Sequence, residues 1–379
     1  MQNRKFGNCD FETSVLGFGC MRLPFLEEDE GKIDDKKSIE LIRFAIDKGI
    51  NYIDTAYPYH KGNSEILVGK ALKDGYRKKV KLATKMPVWL MNDYSDFQKY
   101  LDEQLLKLDT DYIDLYLLHA LNKNSWKKVK ELRVLDFVNE MLKKGTIKYI
   151  GFSFHDDIDT FKEIVDAYDW SFCQIQYNFM DTNYQAGKEG LEYAYNKGLA
   201  IVVMEPLKGG KLAKTPPKEI QALWDETGED RTPADWALSW IWNHKEVSLL
   251  LSGMNTYEQV IENIKIAQKA TPNSLTDKQL NVVAKVTKKY ADLTKVNCTA
   301  CGYCMPCPAG VNIPRNFSLY NDYAMYNDLS GSCYTYDKFF DDKSKASSCV
   351  DCGKCESQCP QQLPIRNHLK ALHSTFSSK

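Results

Sequence analysis

Residues 149–176, YIGFSFHDDIDTFKEIVDAYDWSFCQIQ, hold one complete strand–helix–strand unit. An apolar, aromatic run at Tyr149–Ser153 leads through a polar turn into an amphipathic stretch, Ile158–Ala167, and then into a second apolar run at Phe172–Gln176. Outward in both directions the same alternation fills residues 14–270, the signature of repeated βα units on a parallel sheet. The other strand candidates are Val15–Phe18, Tyr52–Thr55, Lys81–Thr84, Ile113–Leu118, Ala200–Met204 and Val247–Leu251. Between them stand helix candidates at Ser38–Lys48, Ser64–Leu72, Asp96–Leu106, Val134–Lys143, Gly187–Asn196 and Pro233–Trp242, with Gly49, Gly145 and Gly198 at C-terminal stop positions. Eight such repeats in about 250 residues are the size of a (β/α)8 TIM barrel. A doubly wound open sheet is the competing α/β architecture, but no G-x-G-x-x-G joins the first strand to its helix; Gly17 and Gly19 are too few.

A barrel gathers its chemistry where the strands end and the βα loops begin. Asp54 ends the second strand, Lys85 follows the third, His119 closes the fourth, Ser153 the fifth, and Gln174 and Gln176 lie on the sixth. Each has an ordinary alternative, as helix cap, solvated cation or hydrogen-bonded core residue. Their convergence on one rim favours a functional site.

The C-terminal region carries different chemistry. Cys298, Cys301, Cys304 and Cys307 precede Pro308, and Cys349, Cys352, Cys355 and Cys359 precede Pro360. The second run is C-x2-C-x2-C-x3-C-P, the pattern of dicluster ferredoxins, in which the fourth cysteine of each run serves the other run's iron–sulfur cluster. That rule assigns Cys298, Cys301, Cys304 and Cys359 to one [4Fe–4S] cluster and Cys349, Cys352, Cys355 and Cys307 to the other. The runs are an internal repeat: Cys298 matches Cys349 at an offset of 51, Cys307 matches Cys359 at 52, and Val311, Ile313, Arg315, Asn316 echo Leu363, Ile365, Arg366, Asn367. Two structural zinc sites are the rival reading, although zinc sites draw their cysteines in separated pairs. Of the remaining cysteines, Cys173 sits in an apolar run and reads as a small core residue.

At 379 residues the chain exceeds a single core. The expected division is a barrel at 1–275, a linking helix within 276–295 introduced by Thr276, and a small helical and irregular ferredoxin-like iron–sulfur domain at 296–379. The segment between the cysteine runs is rich in aromatic residues, among them Phe317, Tyr320, Tyr323, Tyr336 and Phe340, and reads as a helical insert. Lys plus Arg number 50 against 51 for Asp plus Glu, so no global field recruits nucleic acid or an anionic membrane. Met1–Thr13 lacks an apolar signal core and no apolar run approaches a span, so the expectation is a soluble, cytoplasmic protein with no nucleic-acid or membrane partner. Thiolate clusters also suit a reducing compartment.

Asp54-Thr-Ala-Tyr-Pro-Tyr59, Lys85 in LATKMP and His119 in LYLLHA resemble the tetrad of the aldo-keto reductases. The resemblance extends over 5–270 through Gly62-Asn-Ser-Glu65, Gly69, Gly151–Ser153, Gln174, Gln176–Asn178, Glu205–Leu207 with Gly209 and Gly210, and Gln259, Glu262, Asn263. With the cysteine repeat, the chain resembles an iron–sulfur branch of that family. The resemblance implies catalytic Asp54, Tyr59, Lys85 and His119. It also implies NADP(H) or NAD(H) held by Ser153 and Gln174 at the nicotinamide, by Met204, Glu205, Pro206, Leu207, Gly209, Gly210, Lys211, Gly253 and Asn255 along the rim, and by Gln259, Glu262 and Asn263 at the adenosine. Phe154 stands where many members have Asn, Met204 where many stack a Tyr, and the eighth-strand loop lacks a Lys or Arg for a 2′-phosphate.

Chemically, Lys85 beside Tyr59 favours the phenolate, Asp54 compensates the buried ammonium, Tyr59 shuttles the proton and neutral His119 orients the carbonyl oxygen. The expected reaction is nicotinamide-dependent reduction of a small carbonyl compound, or oxidation of an alcohol. The clusters then exchange electrons with a ferredoxin or another one-electron partner. Two alternatives stay open: an ordinary reductase whose clusters only staple the fold, and a non-catalytic electron-carrier or redox-sensing module.

Overall fold

The protein, described here from a computed structural model, is defined at residues 1–27, 29, 31–326 and 328–377. Its chain forms two compact units, Met1–Pro206 with Ala234–Leu275, and Leu207–Pro233 with Thr276–Lys379.

The first unit is a closed barrel of parallel strands: β1 (Leu16–Gly19), β2 (Tyr52–Asp54), β3 (Lys81–Met86), β4 (Ile113–Leu121), β5 (Ile147–Phe154), β6 (Phe172–Gln176), β7 (Ala200–Met204) and β8 (Leu249–Ser252), each paired with its successor and β8 with β1. All eight sequence candidates form barrel strands, shifted by at most a few residues; β3, β4 and β5 run longer than the apolar runs alone indicate. Helices Gly187–Asn196 and Pro233–Trp242 fall where periodicity puts them, and Gly145 ends helix Val134–Lys144 at φ 75°, a left-handed position where glycine carries no Cβ penalty.

An antiparallel hairpin, Asn3–Lys5 with Glu12–Ser14, was not predicted because its strands are only three residues long and mostly polar. It carries Phe6 and Cys9 into the cluster that fills the barrel interior with Tyr52, Leu115, Leu117, Phe172, Val202 and Leu249. Gly7 makes that approach feasible: its φ is 53°, and a Cβ there would stand 2.4 Å from the Ala200 nitrogen.

In the second unit, helix Asp277–Leu293 starts at Thr276 with a capping box to Gln279, as expected. Helix Lys218–Asp225, from the segment after β7, packs along it, tied by the ion pairs Lys285–Glu226 and Lys289–Glu219. The aromatic insert is helical, at Ile313–Tyr326 and Leu329–Lys338. The repeat seen in the sequence is structural: Ile313 and Ile365, 52 apart, each open a helix after a Cys-Pro, and both are buried in one core with Phe317, Leu369 and Phe376. No helix among the described residues is long and apolar enough to cross a membrane.

Candidate functional sites

The barrel site is assembled from strand ends. Lys85 is fully buried on β3, with Nζ 2.7 Å from Asp54 Oδ1, 2.8 Å from the Thr55 carbonyl and 3.3 Å from the Tyr59 hydroxyl. Tyr59 opens a 3-10 turn five residues past the end of β2, and the turn bends sharply because His60 and Lys61 adopt left-handed conformations at φ 52° and 55°. The His119 ring centroid lies 6.1 Å from that of Tyr59 and 5.1 Å from Trp89. Asp54, Tyr59, Lys85 and His119, picked out on sequence, thus stand together on one rim.

A second layer fixes this arrangement. Gln104, fully buried on helix Ser95–Leu108, donates to the Lys85 carbonyl at 3.0 Å and to Glu65 at 2.6 Å, and accepts from Tyr116 at 2.6 Å; Thr84 also donates to Glu65 at 2.6 Å. Every member is buried. Of these only Glu65 carried a sequence signal. Gln104 is the polar residue on an otherwise apolar helix face with Phe97, Leu101 and Leu108, a clue available without the structure.

Between Leu118 and Leu121 the β4–β5 register shifts, and Ala120 takes a left-handed φ of 55°. This bulge turns the Ala120 N–H onto Ser153 Oγ at 2.7 Å, fixing that hydroxyl at the end of β5. Ser153 pairs in register with Gln174 on β6. The Gln174 Nε2 contacts Met204 Sδ at 3.7 Å, while its buried Oε1 has no hydrogen-bond partner. A buried amide with a free acceptor fits the carboxamide of a nicotinamide. Glu205 follows β7 in a left-handed conformation, 4.0 Å from Arg22. Asn263 donates to Ser252 at 3.0 Å, and Gln259 caps the Asn255 N–H at 2.9 Å, beside Gly253 and Glu262. Leu207, Gly209, Gly210 and Lys211 belong to the second unit. The Tyr57 hydroxyl donates to Glu103 at 3.1 Å, and Phe25 and Trp89 are exposed.

Electrostatics separate the four rim residues. Burial first, then the Asp54 and Glu205 carboxylates, hold the Tyr59 phenol well above its ordinary 10. Lys85 is expected to favour the phenolate; the net displacement is instead upward, because desolvation and the two carboxylates outweigh the opposing Arg22 guanidinium. Burial also raises Asp54 against the pull of Lys85. Burial and the Lys85 charge push His119 well below 6.5, so its imidazole is neutral.

In the second unit a pocket is lined by Cys298, Cys301, Cys304 and Cys359, together with Ile313, Phe317 and Ile365. Burial, followed by the neighbouring Cys301, Cys298 and Cys359, pushes the Cys304 thiol to about 12. Cys355 is raised by burial and by Glu356, with Cys349 and Cys307 also contributing. Each group therefore contains the fourth cysteine of the opposite run. Among the described residues no three or more His, Cys, Asp or Glu side chains converge as ligands of a single metal ion. Four thiols around an apolar pocket, unfavourable as crowded bare thiolates, fit a multi-iron cluster whose positive irons offset their charge.

Comparison with known proteins finds two families along the chain. A model of the aldo/keto reductase family matches residues 15–287, and one of a 4Fe-4S dicluster domain matches 297–363. The chain is similar to probable aldo-keto reductase 1 of Glycine max, at 31% identity over 218 residues, 55% of this chain and 60% of that protein. It is similar to the NADH-specific methylglyoxal reductase of Escherichia coli (strain K12), at 27% over 311 residues, 70% of this chain and 93% of that one. Among solved structures, the holo form of aldo-keto reductase AKR11C1 from Bacillus halodurans matches with a TM-score of 0.63 and 28% identity, covering 76% of this chain and 96% of that one.

Proposed function

The chain belongs to the aldo/keto reductase family and carries a C-terminal 4Fe-4S dicluster domain, and from that premise we propose a nicotinamide-dependent oxidoreductase that interconverts a small carbonyl compound and its alcohol. The observation that carries this reading is the buried Lys85 ammonium shared between Asp54 at 2.7 Å and the Tyr59 hydroxyl at 3.3 Å.

Bound nicotinamide supplies or accepts the hydride. The chain's own residues manage the proton. A phenol held above its ordinary pKa is fully protonated at neutral pH and can give its proton to a substrate oxygen that gains negative charge. Lys85, paired with Asp54, stands where it stabilises the phenolate left behind. His119, neutral, offers an N–H to the same oxygen without competing as an acid, an interaction that contributes several kcal/mol in comparable sites. In the oxidative direction the roles reverse. Ser153 and Gln174 would hold the carboxamide, Met204, Glu205 and Pro206 would border the nicotinamide, and Gly253, Asn255, Gln259, Glu262 and Asn263 would bind the rest of NADP(H) or NAD(H).

Cys298, Cys301, Cys304 and Cys359 would hold one [4Fe–4S] cluster, and Cys349, Cys352, Cys355 and Cys307 the other, supplying one-electron capacity toward a ferredoxin or similar carrier. Crossed ligation supports electron transfer over a purely structural role, since one metal suffices to staple a domain this small.

Tyr59→Phe is expected to lower kcat for carbonyl reduction by roughly 10²-fold or more, with the dinucleotide Kd unchanged by fluorescence titration. Near-wild-type kcat in that variant would remove Tyr59 from proton transfer. Reconstituted protein should contain about eight iron and eight acid-labile sulfide per chain; zinc without sulfide would refute the cluster reading.

A further inference from the structure

The two cysteine repeats align position by position as Cys298-Thr299-Ala300-Cys301-Gly302 and Cys349-Val350-Asp351-Cys352-Gly353. Their second positions have opposite environments: Val350 is 69% exposed and Thr299 only 1%. Thr299 lines the pocket ringed by Cys298, Cys301, Cys304 and Cys359, and its buried Oγ1 has no hydrogen-bond partner. Buried hydroxyls are almost always bonded, so one without a protein partner points to an acceptor supplied by something the pocket holds. The other side chains around that pocket are apolar or thiol apart from Gln361, which makes no hydrogen bond to the Thr299 hydroxyl. The acceptor available there is cluster sulfur, which accepts and cannot donate. One donor already serves this point: the Ala300 N–H donates to Cys298 Sγ at 3.3 Å.

Resting on the cluster reading above, we propose that the Thr299 hydroxyl donates a hydrogen bond to a sulfur of the cluster held by Cys298, Cys301, Cys304 and Cys359, and raises the reduction potential of that cluster alone. One-electron reduction adds negative charge to the cluster's sulfurs and irons. A donor aimed at sulfur therefore stabilises the reduced form more than the oxidised one. The second cluster has an exposed valine at the matching position and gains no such term. The duplication has thus been differentiated at one residue, and the two clusters are inequivalent.

The test uses full-length reconstituted protein, with iron and sulfide assayed before each redox titration followed by EPR. In Thr299→Val, which nearly preserves side-chain shape and removes the donor, one of the two midpoints should move to more negative potential while the other stays in place. Thr299→Ser, which restores the hydroxyl, should return it. Thr299→Ala carries the same measurement if the valine variant loads less iron. Fully loaded variants with both midpoints unmoved, or both moved equally, overturn the role of Thr299 and leave the cluster reading intact. A wild-type protein holding zinc and no sulfide overturns both.

Discussion

Histidine at the rim is tuned by its surroundings, and His155, next to the end of β5, makes this measurable. Burial pushes it from 6.5 to about 4. Near pH 6.5 the unfolded chain takes up a proton there that the folded chain refuses until about pH 4. Its contribution to stability is therefore complete above pH 6.5 and is lost as pH falls toward 4, by up to about 3 kcal/mol. Urea denaturation at pH 7 and pH 4.5 should show a shallower pH dependence in His155→Asn than in wild type; identical dependence in the two proteins contradicts the assignment. Asp54, Lys85 and His119 were legible in the sequence because each is a polar group at the end of an apolar run, whereas Tyr59 was reached through the family resemblance. The upward displacement of Tyr59 was not legible, since it rests first on burial in the closed barrel and then on Asp54 and on Glu205, which lies some 145 residues later in the chain.

At the level of the strand, Gly151 governs how closely β5 and β6 approach. A Cβ on it would stand 2.5 Å from the Phe172 carbonyl and 2.7 Å from the Phe172 ring, backbone and packed aromatic that cannot yield cheaply. Gly151→Ala should lower the thermal midpoint of the barrel by roughly 5 °C or more, read by differential scanning calorimetry; an unchanged midpoint would mean the strands can separate without cost. The apolar runs announced all eight barrel strands because a parallel sheet covered on both faces needs near-continuous hydrophobic residues. The hairpin at Asn3–Ser14 escaped the same reasoning, as its value lies in two side chains, Phe6 and Cys9, delivered into the barrel around the turn at Gly7. The helix Lys123–Glu131 was also missed, although Asn122 and Ser125 form a capping box, because only Trp126 and Val129 are buried on it and periodicity is faint.

For the whole molecule, the two chemistries can be separated by a single change. Cys355→Ser should leave nicotinamide-linked carbonyl reduction within about twofold of wild type, because barrel and cluster units have separate cores. The same change should abolish electron transfer to a viologen dye under anaerobic conditions. Loss of reductase kinetics together with transfer would indicate that the clusters are needed for the barrel's own turnover, and retention of transfer would exclude that cluster as the conduit. The cysteine spacing made the second unit readable, whereas the inclusion of Leu207–Pro233 in it could not be read from sequence, since that segment lies inside the span of the barrel repeats.

That inclusion bears on how the molecule can be taken apart. A gene cut just before Thr276 looks like a clean excision, yet it would strand the helix Lys218–Asp225 on the wrong fragment. Ile220 and Trp224, buried in the intact chain, belong to the helix that packs along Asp277–Leu293. The shortened barrel would carry a sticky hydrophobic flap, and the liberated cluster fragment would lack part of its wall. Transplanting the iron–sulfur module onto another reductase therefore calls for moving two discontinuous pieces of chain, Leu207–Pro233 as well as the tail.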